Sequence, residues 1–241
     1  MYNILISIGA ALVDFLLLYY FGLPWWGAII VSLFVFAGTF VLISRMVMKK
    51  VMAVMETVAK DLQGQRLEKA VRELQGAFRY SKWQIYVAGQ INSQIGMIYY
   101  MKRDFNTAFP YLEKGFIKNW AAMGMLAISY MKRNKNDKMR EAFEKALQGT
   151  SKESLLWNLY AYCLVEINDT TKALEVLTRG LKKLPGDERL KFNLDALQNG
   201  KKMKMKNFGD MWLQFHLERQ NVVMKQQAAA MAGMRRRAGR K

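Results

Sequence analysis

The chain holds little of the material from which catalytic and metal centres are made. One cysteine, Cys163, and one histidine, His216, stand among 241 residues. A single thiol excludes an internal disulfide framework and a cysteine cage for a metal. Its place two residues after Ala161, in an apolar run, makes it a core filler rather than a nucleophile. His216 stands near Glu218 with no second ligand type at metal spacing, the pattern of an exposed or packing histidine. The Walker-type glycine loop, the dinucleotide fingerprint and the Gly-x-Ser-x-Gly elbow are all missing. No catalytic residue, metal ligand or cofactor is therefore expected, and the chain reads as a non-enzyme.

Charge is equally uneven. The first 44 residues carry one charged side chain, Asp14, whereas the last 41 carry eleven Lys or Arg against two acids, half of the net +18. Residues 4–23 and 25–44 are two apolar runs of about the 20 residues that cross a hydrocarbon core as helix. Gly22-Leu23-Pro24 separates them, and a proline there breaks one continuous helix into an antiparallel pair. Tyr19, Tyr20, Trp25 and Trp26 would then lie at one membrane interface. A cleaved signal peptide fits less well, because no basic segment precedes the first run and no Ala-x-Ala site ends it. Arg45, Lys49 and Lys50 after the second run put that side in the cytoplasm by the positive-inside rule. The expectation is an integral membrane protein with both termini cytoplasmic, most simply in a bacterial inner membrane. The very short loop leaves a shallow or re-entrant hairpin open. Asp14 would cost about 2.5–3.5 kcal/mol in mid-span, and such residues are often functional. The plainer account is a hydrogen bond to Ser32 or Thr39.

Beyond the apolar runs, Val51, Val54, Met55, Val58 and Leu62 keep helical spacing, and Leu67, Ala70, Val71, Leu74, Ala77 and Phe78 form a second amphipathic helix after Gly64. Trp83 and Tyr86 fall in the connector that follows. From Ile91 to Asp187 the pattern of one helical hairpin is written three times over: Trp157, Tyr160, Ala161, Ala173, Leu177 and Pro185 form the clearest copy. Leu126, Ala127, Tyr130, Phe143 and Ala146 repeat it 34 positions earlier, and Ile95, Gly96, Tyr99, Ala108 and Leu112 a further 31 earlier. These offsets resemble the tetratricopeptide repeat, a helix-turn-helix unit of about 34 residues whose copies stack because one hairpin cannot bury its apolar face alone. Met139 and Gly115 depart from the family's small alanines. The resemblance covers under half of the chain and implies a fold more than a function.

The expected fold is all-α: a transmembrane hairpin (1–48), a linker helix or degenerate first hairpin (49–86), three tetratricopeptide-like repeats with a cap helix (87–200) and a basic tail (201–241). In the family, four positions of each first helix line a concave groove. Here they are Gln90, Ser93, Met97 and Tyr100; Ala121, Gly124, Ile128 and Met131; and Leu155, Asn158, Tyr162 and Val165. The resemblance implies a mostly apolar groove suited to a helix rather than a carboxylate clamp. In the tail, Lys201, Lys202, Lys204 and Lys206 read as a solvated linker. Phe208, Met211, Trp212 and Phe215 recur at i, i+3, i+4 and i+7, so a short helix would show one aromatic face. That face is expected to dock on the repeats or on the membrane surface. The leading function is a membrane-anchored adaptor that binds a protein partner on the cytoplasmic side and touches anionic lipid. Behind it stand a nucleic-acid or ribosome tether acting through the basic tail, and a subunit of a membrane complex using the hairpin and Asp14.

Overall fold

The computed structural model describes residues 1–218 and is all-helical there. The chain divides into two compact units, Met1–Phe116 and Ile117–Lys241. The border falls inside the stretch read as repeats.

In the first unit, α1 (Tyr2–Tyr20) and α2 (Trp25–Gln63) pair along their lengths. Asn3 Nδ2 donates to Ser44 Oγ at 2.6 Å and Ser32 Oγ lies 3.1 Å from Asp14 Oδ2, so the two helices run antiparallel. Both are long and apolar enough to cross a membrane, and most of their side chains are exposed. The turn between them begins earlier than the residue-23 boundary expected, because Gly22 takes a positive φ of 87° and Phe21 already caps α1. Helix α2 runs on past the apolar stretch without a break. Its Val47, Val51 and Val58 join Ala70, Val71, Leu74 and Ala77 of α3 (Leu67–Ala77) and Val87, Ile91, Ile95 and Ile98 of α4 (Val87–Met101) in one core. A 3₁₀ turn, Phe78–Lys82, links α3 to α4. Helix α5 (Phe105–Glu113) closes the unit against α4, and Gly96 makes that approach possible: a β-carbon there would lie 2.8 Å from Leu112 Cγ.

The second unit holds α6 (Trp120–Met131), α7 (Asn136–Gly149), α8 (Ser154–Glu166), α9 (Thr170–Lys183), α10 (Glu188–Gln198) and the single turn α11 (Asp210–Leu213). Helices α6, α8 and α10 pack side by side in one layer, backed by α7 and α9. Phe143 of α7 stacks on Tyr160 of α8 at 4.7 Å, and Gly180 of α9 lets the Trp157 ring lie against the backbone.

One local device recurs in both units. Gln65, Arg103, Asn134 and Asn168 each take a left-handed φ of 57–64° just after a helix, and the next residue donates its N–H to the carbonyl five residues back. This is the Schellman stop. Asp104 and Asp169 then cap the following helix through their carboxylates, as Asp187 does at α10, and Asn119 caps α6 through its amide oxygen. Each such residue satisfies one of the orphan N–H groups of a helix start.

Candidate functional site

Helices α6 and α8 carry few polar groups and bury nine residues each. A helix apolar all round must be covered on more than one face. Helices α7 and α9 cover one face of each, and residues 201–218 of the same chain cover part of another.

That strap crosses α10, α8 and α6 in turn. At its start the backbone N–H of Lys204 donates to Asn193 Oδ1 at 2.7 Å, and Asn193 Nδ2 donates to Asn158 Oδ1 at 2.7 Å. Met205 is buried against the same amide, its sulfur 3.9 Å from Asn193 Nδ2. Phe208 is buried under the Arg189 guanidinium, which lies 4.9 Å from the ring centroid. Trp212 is 2% exposed, meets Tyr162 edge to face at 4.9 Å, and donates its indole N–H to Glu218 Oε1 at 2.9 Å. Phe215 is fully buried beside Trp120, over Gly124, where a β-carbon would lie 3.1 Å from its ring. Burying one such ring contributes about 1.5–3 kcal/mol.

The aromatic residues therefore do not form the regular helix their spacing predicts. A 3₁₀ turn, Met205–Phe208, ends at Gly209, whose φ of 55° breaks the path before α11. Met211 consequently stays 47% exposed while Phe208, Trp212 and Phe215 turn inward. The break lets each ring reach a different helix. Lys201, Lys202, Lys204 and Lys206 remain exposed as expected of a solvated run, but Met205 between them does not.

The candidate groove positions separate by unit. In the second, Ala121, Gly124, Ile128, Leu155 and Asn158 are buried, while Met131, Tyr162 and Val165 are half-buried. A cavity of about 510 Å³ opens where Tyr162 and Val165 meet Phe192, Met205 and Trp212. Burial, with Glu166 nearby, pushes the Tyr162 hydroxyl up to about 12, so it keeps its proton. Burial likewise pushes the Cys163 thiol up. In the first unit Gln90 and Met97 are half-buried, Ser93 Oγ accepts from the Phe116 N–H at 2.8 Å, and Tyr100 is buried edge to face on Phe105. Asp14 has Ser32 as its neighbour, whereas Thr39 donates to the Val35 carbonyl of its own helix.

Sequence reasoning passed over Asn193, Trp120 and Met205. The alternation of Lys and Met from 202 to 206 is a period-two signal of an extended segment with one face buried. No group of three or more His, Cys, Asp or Glu side chains able to hold a metal occurs among the described residues. Residues 235–241 of the basic tail lie outside them. Compared with protein-family models, curated proteins and solved structures, the chain matches none.

Proposed function

We propose that the chain is a non-enzymatic, membrane-anchored adaptor of tetratricopeptide type, whose second unit binds a protein partner on the cytoplasmic side. The observation that carries this reading is the strap on α10, α8 and α6. It touches Gly124, Asn158 through Asn193, and Tyr162, three of the positions with which the family lines its groove. A face that holds one aromatic-anchored segment has the chemistry to hold another. The recurrence of the same helix stop at Gln65, Arg103, Asn134 and Asn168 supports a repeat origin, including a degenerate first hairpin from the end of α2 and α3. Arg45, Lys49 and Lys50 support a cytoplasmic placement of everything after α2.

The four exposed lysines of the strap favour a second reading, a tether for nucleic acid, whose binding would fall steeply with salt. Cross-linking and capture from native membranes separates the two. The full chain, a chain ending at Gly200 and a Tyr162→Glu variant are compared with and without nuclease, at low and high salt. A discrete protein that survives nuclease and high salt, and is lost or gained on changing Tyr162 or the strap, supports the adaptor. Capture abolished by nuclease, whatever residue 162 is, overturns it in favour of the tether.

A further inference from the structure

The connector between α3 and α4 presents a surface that the adaptor reading does not use. Ile85 and Tyr86 are 57% and 58% exposed, and Met1 and Tyr2 are 40% and 45% exposed. The Tyr2 ring meets the Trp83 ring edge to face at 5.5 Å. Tyr2 opens α1, and Asn3 beside it bonds to Ser44, so Trp83 lies at the level where the apolar part of α2 ends.

Element lengths agree with this. From Val47 to Gln63, α2 rises about 24 Å beyond that level. Helix α3 and the 3₁₀ turn Phe78–Lys82 return about 26 Å. The chain thus comes back to the height of Arg45, Lys49 and Lys50 before α4 begins. There it adds Arg79 and Lys82, both exposed. No Asp or Glu occurs between Asp14 and Glu56, or between Glu73 and Asp104. The belt therefore holds five cations and no acid, with aromatic and aliphatic side chains among them.

We propose that residues 78–86 are an interfacial anchor for an anionic bilayer. Trp83, Ile85 and Tyr86 enter the boundary between headgroups and acyl chains, and Arg79 and Lys82 complete a headgroup-binding belt with Arg45, Lys49 and Lys50. Aromatic rings favour that depth, and each cation near an anionic surface adds to the attraction. Small apolar insertions flanked by basic residues bind such surfaces by both terms together. The inference rests on α1 and α2 spanning the membrane, and it fixes the first unit against the leaflet by a second attachment.

The test uses the full chain with Cys163→Ala, reconstituted into vesicles of phosphatidylglycerol and phosphatidylcholine. Nitroxide labels are placed singly at Leu12→Cys, Ile85→Cys and Glu68→Cys, and read by access to dissolved oxygen against a water-soluble nickel chelate. Labels at 12 and 85 are expected to favour oxygen, with nickel access at 85 on the order of threefold below that at 68. Arg79→Glu with Lys82→Glu, or high salt on the unchanged belt should that variant not fold, is expected to return the label at 85 toward water. A buried label at 12 with one at 85 as wet as at 68 overturns the anchor and leaves the spans standing. A label at 85 that ignores lipid charge, salt and both substitutions overturns the headgroup belt. Wet labels at 12 and 85 together overturn the spanning reading and the anchor with it.

Discussion

Asn193 joins the strap to the helical layer: its amide donates to Asn158 Oδ1 and its carbonyl oxygen accepts from the Lys204 N–H, each at 2.7 Å. Asn158 and Asn193 are both buried. Replacing Asn193 with Leu removes the partner of the Lys204 N–H and leaves the buried Asn158 Oδ1 without a bond, the latter at about 1–3 kcal/mol. The expected outcome is a lower Tm and faster proteolysis between residues 201 and 218. Asn158→Leu combined with Asn193→Leu should cost less than the two changes summed, because Asn158 Oδ1 and Asn193 Nδ2, each orphaned by one single change, are both gone.

Glycines in the helices separate into crowded and open positions. Ala at Gly96 would press on Leu112 Cγ at 2.8 Å and is expected to destabilise by about 1–3 kcal/mol. Ala at Gly76 meets nothing within 4 Å and is expected to stabilise by about 0.5–1 kcal/mol. Chemical denaturation of both variants checks the pair.

Gln65 holds a φ of 57° that glycine adopts without a steric penalty. Gln65→Gly is expected to gain about 0.5–1 kcal/mol in the same denaturation series. A loss would show that the Gln65 side chain contributes more than its backbone strain costs.

The Arg179 guanidinium, 2.8 Å from Glu144, holds that carboxyl below its ordinary 4.5 through their hydrogen bond. A depressed carboxyl stabilises the fold fully above 4.5 and stops doing so as pH falls through its lower folded value. Both side chains are more than a third exposed, so the contribution stays under about 1 kcal/mol. Glu144→Gln is expected to lower stability slightly at neutral pH and to flatten the acid limb of a Tm-against-pH profile.

Cys163 is fully buried, and burial keeps its thiol protonated. A thiolate is the reactive species. An aromatic disulfide reagent is expected to leave the native protein unlabelled and to label one thiol per chain after denaturation.

The helices were readable because their signals are local. Apolar runs of membrane length, Pro24, Gly64 and the repeating offsets around Ala127 and Ala161 each act within a few turns of chain. The helices expected after Lys49 and Gly64 correspond to the far half of α2 and to α3. The strap was only half readable. Phe208, Trp212 and Phe215 announce a need for burial, but the helix suggested by their spacing is overridden by contacts with three different elements. Asn193 gave no signal, since its two bonds reach Asn158 and Lys204, residues 35 and 11 positions away.

Helix α2 spans 39 residues, about 58 Å, and contains no glycine or proline after Gly38. Sharp bends in helices need such residues or an inserted group. The hairpin and the core around Val51 and Val58 therefore share one rigid axle, and helical phase becomes a structural variable. One residue inserted at Arg45 would turn the core-forming face of α2 by about 100° relative to α1. The azimuth of that core relative to α1 is thus set within the hairpin, by the Asn3–Ser44 and Asp14–Ser32 pairs that lock α1 to α2.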